Sequence, residues 1–138
     1  PLELSSAASD VYKRQAVSDF KPSHYYENKI KKEDLNFVDL ELEKNKDILC
    51  HVAKVYKSSY VVGFAAETKN VKENARKKLL NKNLNMIISN DVSDKSIGFD
   101  SDQNEVNLIT KSESIFLKKD KKIRIARESL KQISLNIN

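Results

Sequence analysis

The sequence predicts an α/β fold, a Rossmann-like three-layer sheet with helices on both faces. Three observations predict it. Short continuous apolar runs of strand length, at 60–66 and 84–89, alternate with segments whose apolar residues recur at helical spacing. Polar clusters follow the runs, where ligands collect in sheets of this kind: Asp19, Glu67 with Thr68, and Asn90 with Asp91. The chain of 138 residues is 39% apolar, which suffices for one core.

Residues 1–15 show neither sustained alternation nor a helical stripe, and the stretch SSAASDVYKRQ looks like translated sequencing-adapter sequence. They are expected to be non-native and disordered, with the domain occupying 16–138. Residues 16–20 (AVSDF) read as the end of a buried strand that Pro22 prevents from continuing. From Leu35 to Leu42 apolar residues recur at every second position, with a phase slip between Phe37 and Val38, so half-buried strands are expected there. Ile48, Leu49, Val52, Val55 and Tyr56 share a helical face, with Asn45 or Asp47 as its cap.

The run at 60–66 is typical of a central parallel strand. Thr68 or Asn70 can cap the next helix, whose buried stripe is Val71, Ala75 and Leu79. Residues 84–89 read as another buried strand, 106–110 and 114–117 as a hairpin, and Ile123, Ala126, Leu130 and Ile133 as the stripe of a last helix.

The formal charge is +5, but the 25 basic residues are spread along the chain and mixed with 20 acidic ones, the pattern of a solvated surface. A small basic α/β nucleic-acid-binding module is the alternative that this charge raises. No apolar run is long enough to span a bilayer, and the one cysteine excludes an internal disulfide framework, so a cytoplasmic domain without membrane contact is expected. Cys50 and His51 are neighbours in a predicted helix and point apart, and His24 has no partner at ligand spacing, so all three are read as structural.

Residues 62–91 read VGFAAETKNVKENARKKLLNKNLNMIISND, residues 98–106 read GFDSDQNEV, and Lys29 opens a K-I-K-K element downstream of AVSDF. In this order, these motifs resemble the bacterial phosphopantothenate–cysteine ligase domain. The resemblance covers roughly 16–133. It implies CTP-dependent joining of 4′-phosphopantothenate to cysteine through an acyl-cytidylate, in coenzyme A synthesis, with magnesium as cofactor. It also implies an added β-strand dimerisation region, giving a homodimer through residues 29–42. The bacterial ligase usually follows a decarboxylase in one polypeptide, and FMN belongs to that part alone.

By the same resemblance, Asp19 contacts the nucleotide ribose and Lys29 meets the triphosphate, where a cation offsets charge on the reacting phosphates. Phe64, Ala65 and Ala66 border the cytosine, although Phe64 also suits a core position, and Gly63 suits close backbone approach. Lys82 is either a phosphate contact or a cation favoured by the end of its helix. Asn90 and Asp91 either order the site and its magnesium environment or serve as caps.

Two departures stand out. Lys46 replaces the proline of the family's N-P-D-I-L step, a small change because proline at a helix start is favourable rather than obligatory. The glycine-rich strand–loop–helix and the segment with the acyl-intermediate asparagine are expected before Ala16, so the chain alone is expected to be inactive.

Overall fold

The computed structural model describes residues 17–25, 41–94, 96–97 and 101–137. They fall into two compact units, Pro1–Lys46 and Asp47–Asn138. Residues 1–15, Lys29 and most of the 29–42 region lie outside the described residues, as do residues 98–100.

In the first unit, β1 (Phe20–Pro22) pairs antiparallel with β2 (Leu42–Lys44), with Pro22 opposite Leu42. Bonds from Asn45 N to Asp19 O (2.8 Å) and from Ser23 N to Glu41 O (2.9 Å) extend the ladder. This corrects the expectation of a buried strand ending before Pro22. The strand starts at Phe20, runs through Pro22, and is exposed throughout. A two-stranded ladder leaves alternate N–H groups facing solvent, so a proline at its end removes no required donor.

The second unit holds a four-stranded sheet in the order β3-β4-β5-β6: β3 Val62–Glu67, β4 Met86–Asp91, β5 Gln103–Thr110 and β6 Ser114–Lys121. Strands β3 and β4 are parallel, joined by α2 (Val71–Asn81), and the other pairs are antiparallel. Helix α1 (Ile48–Val55) precedes β3 and α3 (Lys122–Ile137) follows β6. One face of the sheet packs Ala53 of α1 and Ala75 and Leu79 of α2 against Ala65, Ile87 and Ile109. The other packs Ile125 and Ile133 of α3 against Met86, Ile88, Val106 and Leu108. The three-layer expectation holds, on a mixed sheet.

Helix α2 follows the sequence most closely, with Ala75 and Leu79 fully buried. It begins at Asn70, one of the two expected caps, although no side chain caps it. At its end Asn83 takes a left-handed conformation (φ 53°), Asn83 N donates to Leu80 O at 3.1 Å, and Leu84 N donates to Leu79 O at 3.0 Å. This paired closure satisfies carbonyls of the last turn and turns the chain straight into β4.

Three expectations change. Among the described residues β3 has a single strand neighbour, and β4 is the central parallel strand, with Met86, Ile87, Ile88 and Ser89 all buried. A continuous apolar run does not report how many neighbours a strand has, and Phe64 on β3 is 79% exposed. In α3 the buried positions are Ile125 and Ser129, whereas Ile123, Ala126 and Leu130 are exposed, so the packed face is rotated about 100° from the apolar stripe. Ser129 can take an inner position because its hydroxyl donates to Ile125 O at 2.8 Å. In α1 the packed residues are Leu49, Val52 and Ala53, and Ile48, Val55 and Tyr56 are about half exposed. Two turns offer one narrow inward arc, so apolar residues on its flanks stay wet.

Gly63 also acts differently from the expectation. A Cβ there would lie 2.7 Å from Leu84 Cδ1 and 3.0 Å from Leu49 Cδ2, so the missing side chain makes room for core leucines. Among the described residues, no helix is long and apolar enough to cross a membrane.

Candidate functional site

The parallel β3–α2–β4 unit sends the carboxyl ends of two strands and the start of one helix to the same edge of the sheet. Register pairs Ala66 with Asn90 and Glu67 with Asp91 there. A cleft of about 440 Å³ opens at this edge, lined by the first turn of α2 (Asn70 to Glu73), Asp91, Glu105 and Asn107. The helix brings unpaired N–H groups, and the strands bring carboxylates and an amide.

Partners fix part of this edge. Glu67 forms an ion pair with Lys78 (2.6 Å) and accepts from Asn74 Nδ2 at 3.3 Å. Asp91 Oδ1 accepts from Ser93 Oγ (2.6 Å) and Ser93 N (2.8 Å), and these bonds hold its carboxyl below the usual range. Glu73 pairs with Lys77, and the Lys72 ammonium lies 5.9 Å from the centre of the Phe116 ring. Deeper in, Ser89 and Asn107 sit opposite each other across β4 and β5, and neither Ser89 Oγ nor Asn107 Oδ1 has a hydrogen-bond partner among the described residues.

Lys82 stands at the other end of α2. Asn85 N donates to Val61 O at 3.0 Å just after it, which ties this turn to the amino ends of β3 and β4. The Lys82 ammonium pairs with Asp47 Oδ2 at 2.9 Å, while Asp47 Oδ1 caps α1 by accepting from Cys50 N at 2.9 Å. The Cys50 bond first, then Lys82, lowers the Asp47 pKa.

A depressed folded-state pKa stabilises above the unfolded value, and that stability is lost as pH falls through the folded value. Asp47→Ala therefore lowers stability by about 1 kcal/mol at about pH 7, with a smaller difference at about pH 2–3. Urea melts of both proteins at the two pH values check this, and an equal loss at both would remove the charge from the account.

The residues singled out in the sequence thus separate. Phe64, Ala65, Ala66, Asn90 and Asp91 lie on the adjacent parallel strands, with Phe64 and Ala66 exposed and Ala65 buried. Lys82 sits at the opposite end of the strands. Asp19 belongs to the first unit, is exposed, and gives its carbonyl to Asn45 N. Lys29 lies outside the described residues. Sequence reasoning missed Asn70, Lys72, Ser89, Glu105 and Asn107. The one available signal was a polar residue, Asn107, two positions from buried Ile109 on the same face of a strand.

A three-layer α/β domain with a polar cleft at the carboxyl ends of its parallel strands belongs to the ligand-binding class of such folds. The chain matches the family described as DNA/pantothenate metabolism flavoprotein C-terminal domain over residues 3–136, and it belongs to that family. It is 41% identical over 110 residues to the coenzyme A biosynthesis bifunctional protein CoaBC of Bacillus subtilis, covering 80% of this chain and 27% of that protein. The namesake from Borreliella burgdorferi is 40% identical over 139 residues, covering 94% of this chain and 35% of that one. A crystal structure of the C-terminal domain of a CoaBC protein superposes with a TM-score of 0.65 at 36% identity, covering 88% of this chain and 50% of that one. The chain therefore spans about a quarter to a third of the length of these curated relatives.

Proposed function

We propose that this chain provides part of a phosphopantothenate–cysteine ligase of coenzyme A biosynthesis, acting in the cytoplasm. The observation that carries this is the family match over residues 3–136, supported by relatives named for coenzyme A biosynthesis at about 40% identity. In this reading CTP activates the carboxylate of 4′-phosphopantothenate as an acyl-cytidylate, and the cysteine amine then displaces CMP. Lys29 offsets charge on the phosphates and Asp19 holds the ribose. Phe64, Ala65 and Ala66 border the base, and the 79% exposure of Phe64 leaves its ring open to stack on one. Lys82 reaches a phosphate only by exchanging its Asp47 partner for it.

Among the described residues, no group of three or more His, Cys, Asp and Glu could hold a metal ion, and Asp91 Oδ1 is taken by Ser93. The described side chains do not fit a resident magnesium site, so magnesium enters this reading as the counter-ion of the nucleotide. FMN enters only with a decarboxylase region, and no residue here is assigned to it. The homodimer through residues 29–42 belongs to the same reading. Of that region Glu41 and Leu42 are described, both exposed, and sedimentation at high micromolar concentration checks it.

The nucleic-acid alternative gains nothing from the fold, because carboxylates line the cleft. Thermal shift separates the two readings. Mg-CTP raises the melting temperature of the full-length protein more than Mg-ATP does. Equal responses to both nucleotides, together with salt-sensitive affinity for any RNA, would overturn the ligase reading.

A further inference from the structure

Asn74 and Lys78 of α2 and Lys82 at its cap recur at every fourth position, so they share one flank beside the buried Ala75 and Leu79. None of the three lines the cleft. Two lysines one turn apart repel each other, and each is met here by a carboxylate from another element. Asp47, the cap of α1, pairs with Lys82, and Glu67, the last residue of β3, pairs with Lys78 at 2.6 Å.

The two carboxylates differ in what else they do. Asp47 also caps a helix, whereas among the described residues the Glu67 carboxylate bonds only Lys78 and Asn74. The Glu67 side chain is 13% exposed, and its buried Oε1 meets no donor among the described residues besides the Lys78 ammonium. Its Oε2 accepts from Asn74 Nδ2, which is itself fixed because it also donates to Lys69 O at 2.9 Å. Burying a carboxylate offsets much of what its pairing contributes, so the arrangement adds little net stability. What it fixes is the place of an ammonium. Lys78 is 48% exposed, and its two other N–H groups meet no acceptor among the described residues. A lysine that binds an anion ordinarily loses rotamer freedom at that moment, and here much of that freedom is already lost on folding.

We infer that Glu67 is a positioning residue: seconded by Asn74, it holds the Lys78 ammonium in place for a substrate phosphate. This role rests on the ligase reading, in which two substrates, CTP and 4′-phosphopantothenate, carry phosphate.

Steady-state kinetics of the full-length protein test the role and tell the two substrates apart. Glu67→Gln keeps the shape of the side chain and removes its charge. It raises the KM for CTP or for 4′-phosphopantothenate by about tenfold and leaves the KM for cysteine within about twofold. Asn74→Ala raises the same KM by about threefold. Lys78→Ala raises it at least as far as Glu67→Gln does, and adding Glu67→Gln to Lys78→Ala changes it no further, because the carboxylate acts only through the ammonium. Should Glu67→Gln not fold, Glu67→Asp carries the same comparison, since it keeps the charge and draws the ammonium back by a methylene.

A purely structural Glu67 gives a different result, a lower melting temperature with no selective change in KM. An unchanged KM for both phosphate-bearing substrates, or an equal effect of Glu67→Gln with and without Lys78, overturns the role and leaves the ligase reading standing. A parent protein that forms no amide from CTP, 4′-phosphopantothenate and cysteine overturns that reading and the role with it.

Discussion

Replacing Lys29 with alanine in the full-length protein lowers pyrophosphate release, measured without cysteine, by about two to three orders of magnitude. In the proposed ligase reaction charge accumulates on the α-phosphate and the departing pyrophosphate only in the first half-reaction, so a cation fixed there stabilises that transition state. Amide formation from preformed acyl-cytidylate stays close to the parent rate. Asp19→Ala behaves differently. It raises the CTP concentration needed and spares the maximal rate, because ribose contacts are similar in ground and transition states. Pyrophosphate release at the parent rate from Lys29→Ala would remove the role given to this lysine. That role rests on the resemblance of its K-I-K-K element to the family's, since Lys29 lies outside the described residues.

Leu79→Ala destabilises the domain by about 2–5 kcal/mol. Leu79 is fully buried and packs in one cluster with Ala75, Leu84, Ile87 and Ile109. Alanine favours a helix at least as well as leucine, so the loss comes from the cavity and from apolar surface returned to water. A domain of ordinary stability holds about 5–15 kcal/mol in reserve, which makes this one substitution a large fraction of it. Leu80, the next residue, is 58% exposed, and Leu80→Ala changes stability by about 0.5 kcal/mol or less. Urea melts of the two variants at unchanged slope decide the matter, and equal losses would mean that α2 is rotated.

These contrasts show what was legible in the chain. In α2 the apolar residues Val71, Ala75 and Leu79 recur every four positions, and the residues between them are mostly charged, so one face alone could be inner. In α3 several apolar residues compete, and the strip with more of them lost to one containing Ser129. A serine that bonds back to its own helix is small and satisfied, and the sheet surface accepts it. Counting apolar residues cannot anticipate that. The cap at Asp47 was legible because capping is a local bond, three residues long.

The site divided along the same line. The ordered motifs, from AVSDF through VGFAAET to the paired Asn90 and Asp91, pointed to the family because they are strings of neighbours. Their spatial grouping was not in those strings. Lys82 and Asp91 are nine positions apart, yet α2 and β4 carry them to opposite ends of the strands. Asn107 reaches the cleft only through the pairing of β5 with β4, which sets it opposite Ser89. The sequence by itself determined the elements from α1 to α3 and the family, since each depends on residues within a few positions of one another. Tertiary structure alone decided which of several apolar faces was buried in α3 and which polar groups were left unpaired. Those outcomes depend on distant segments competing for the same surface, and no local pattern records that competition.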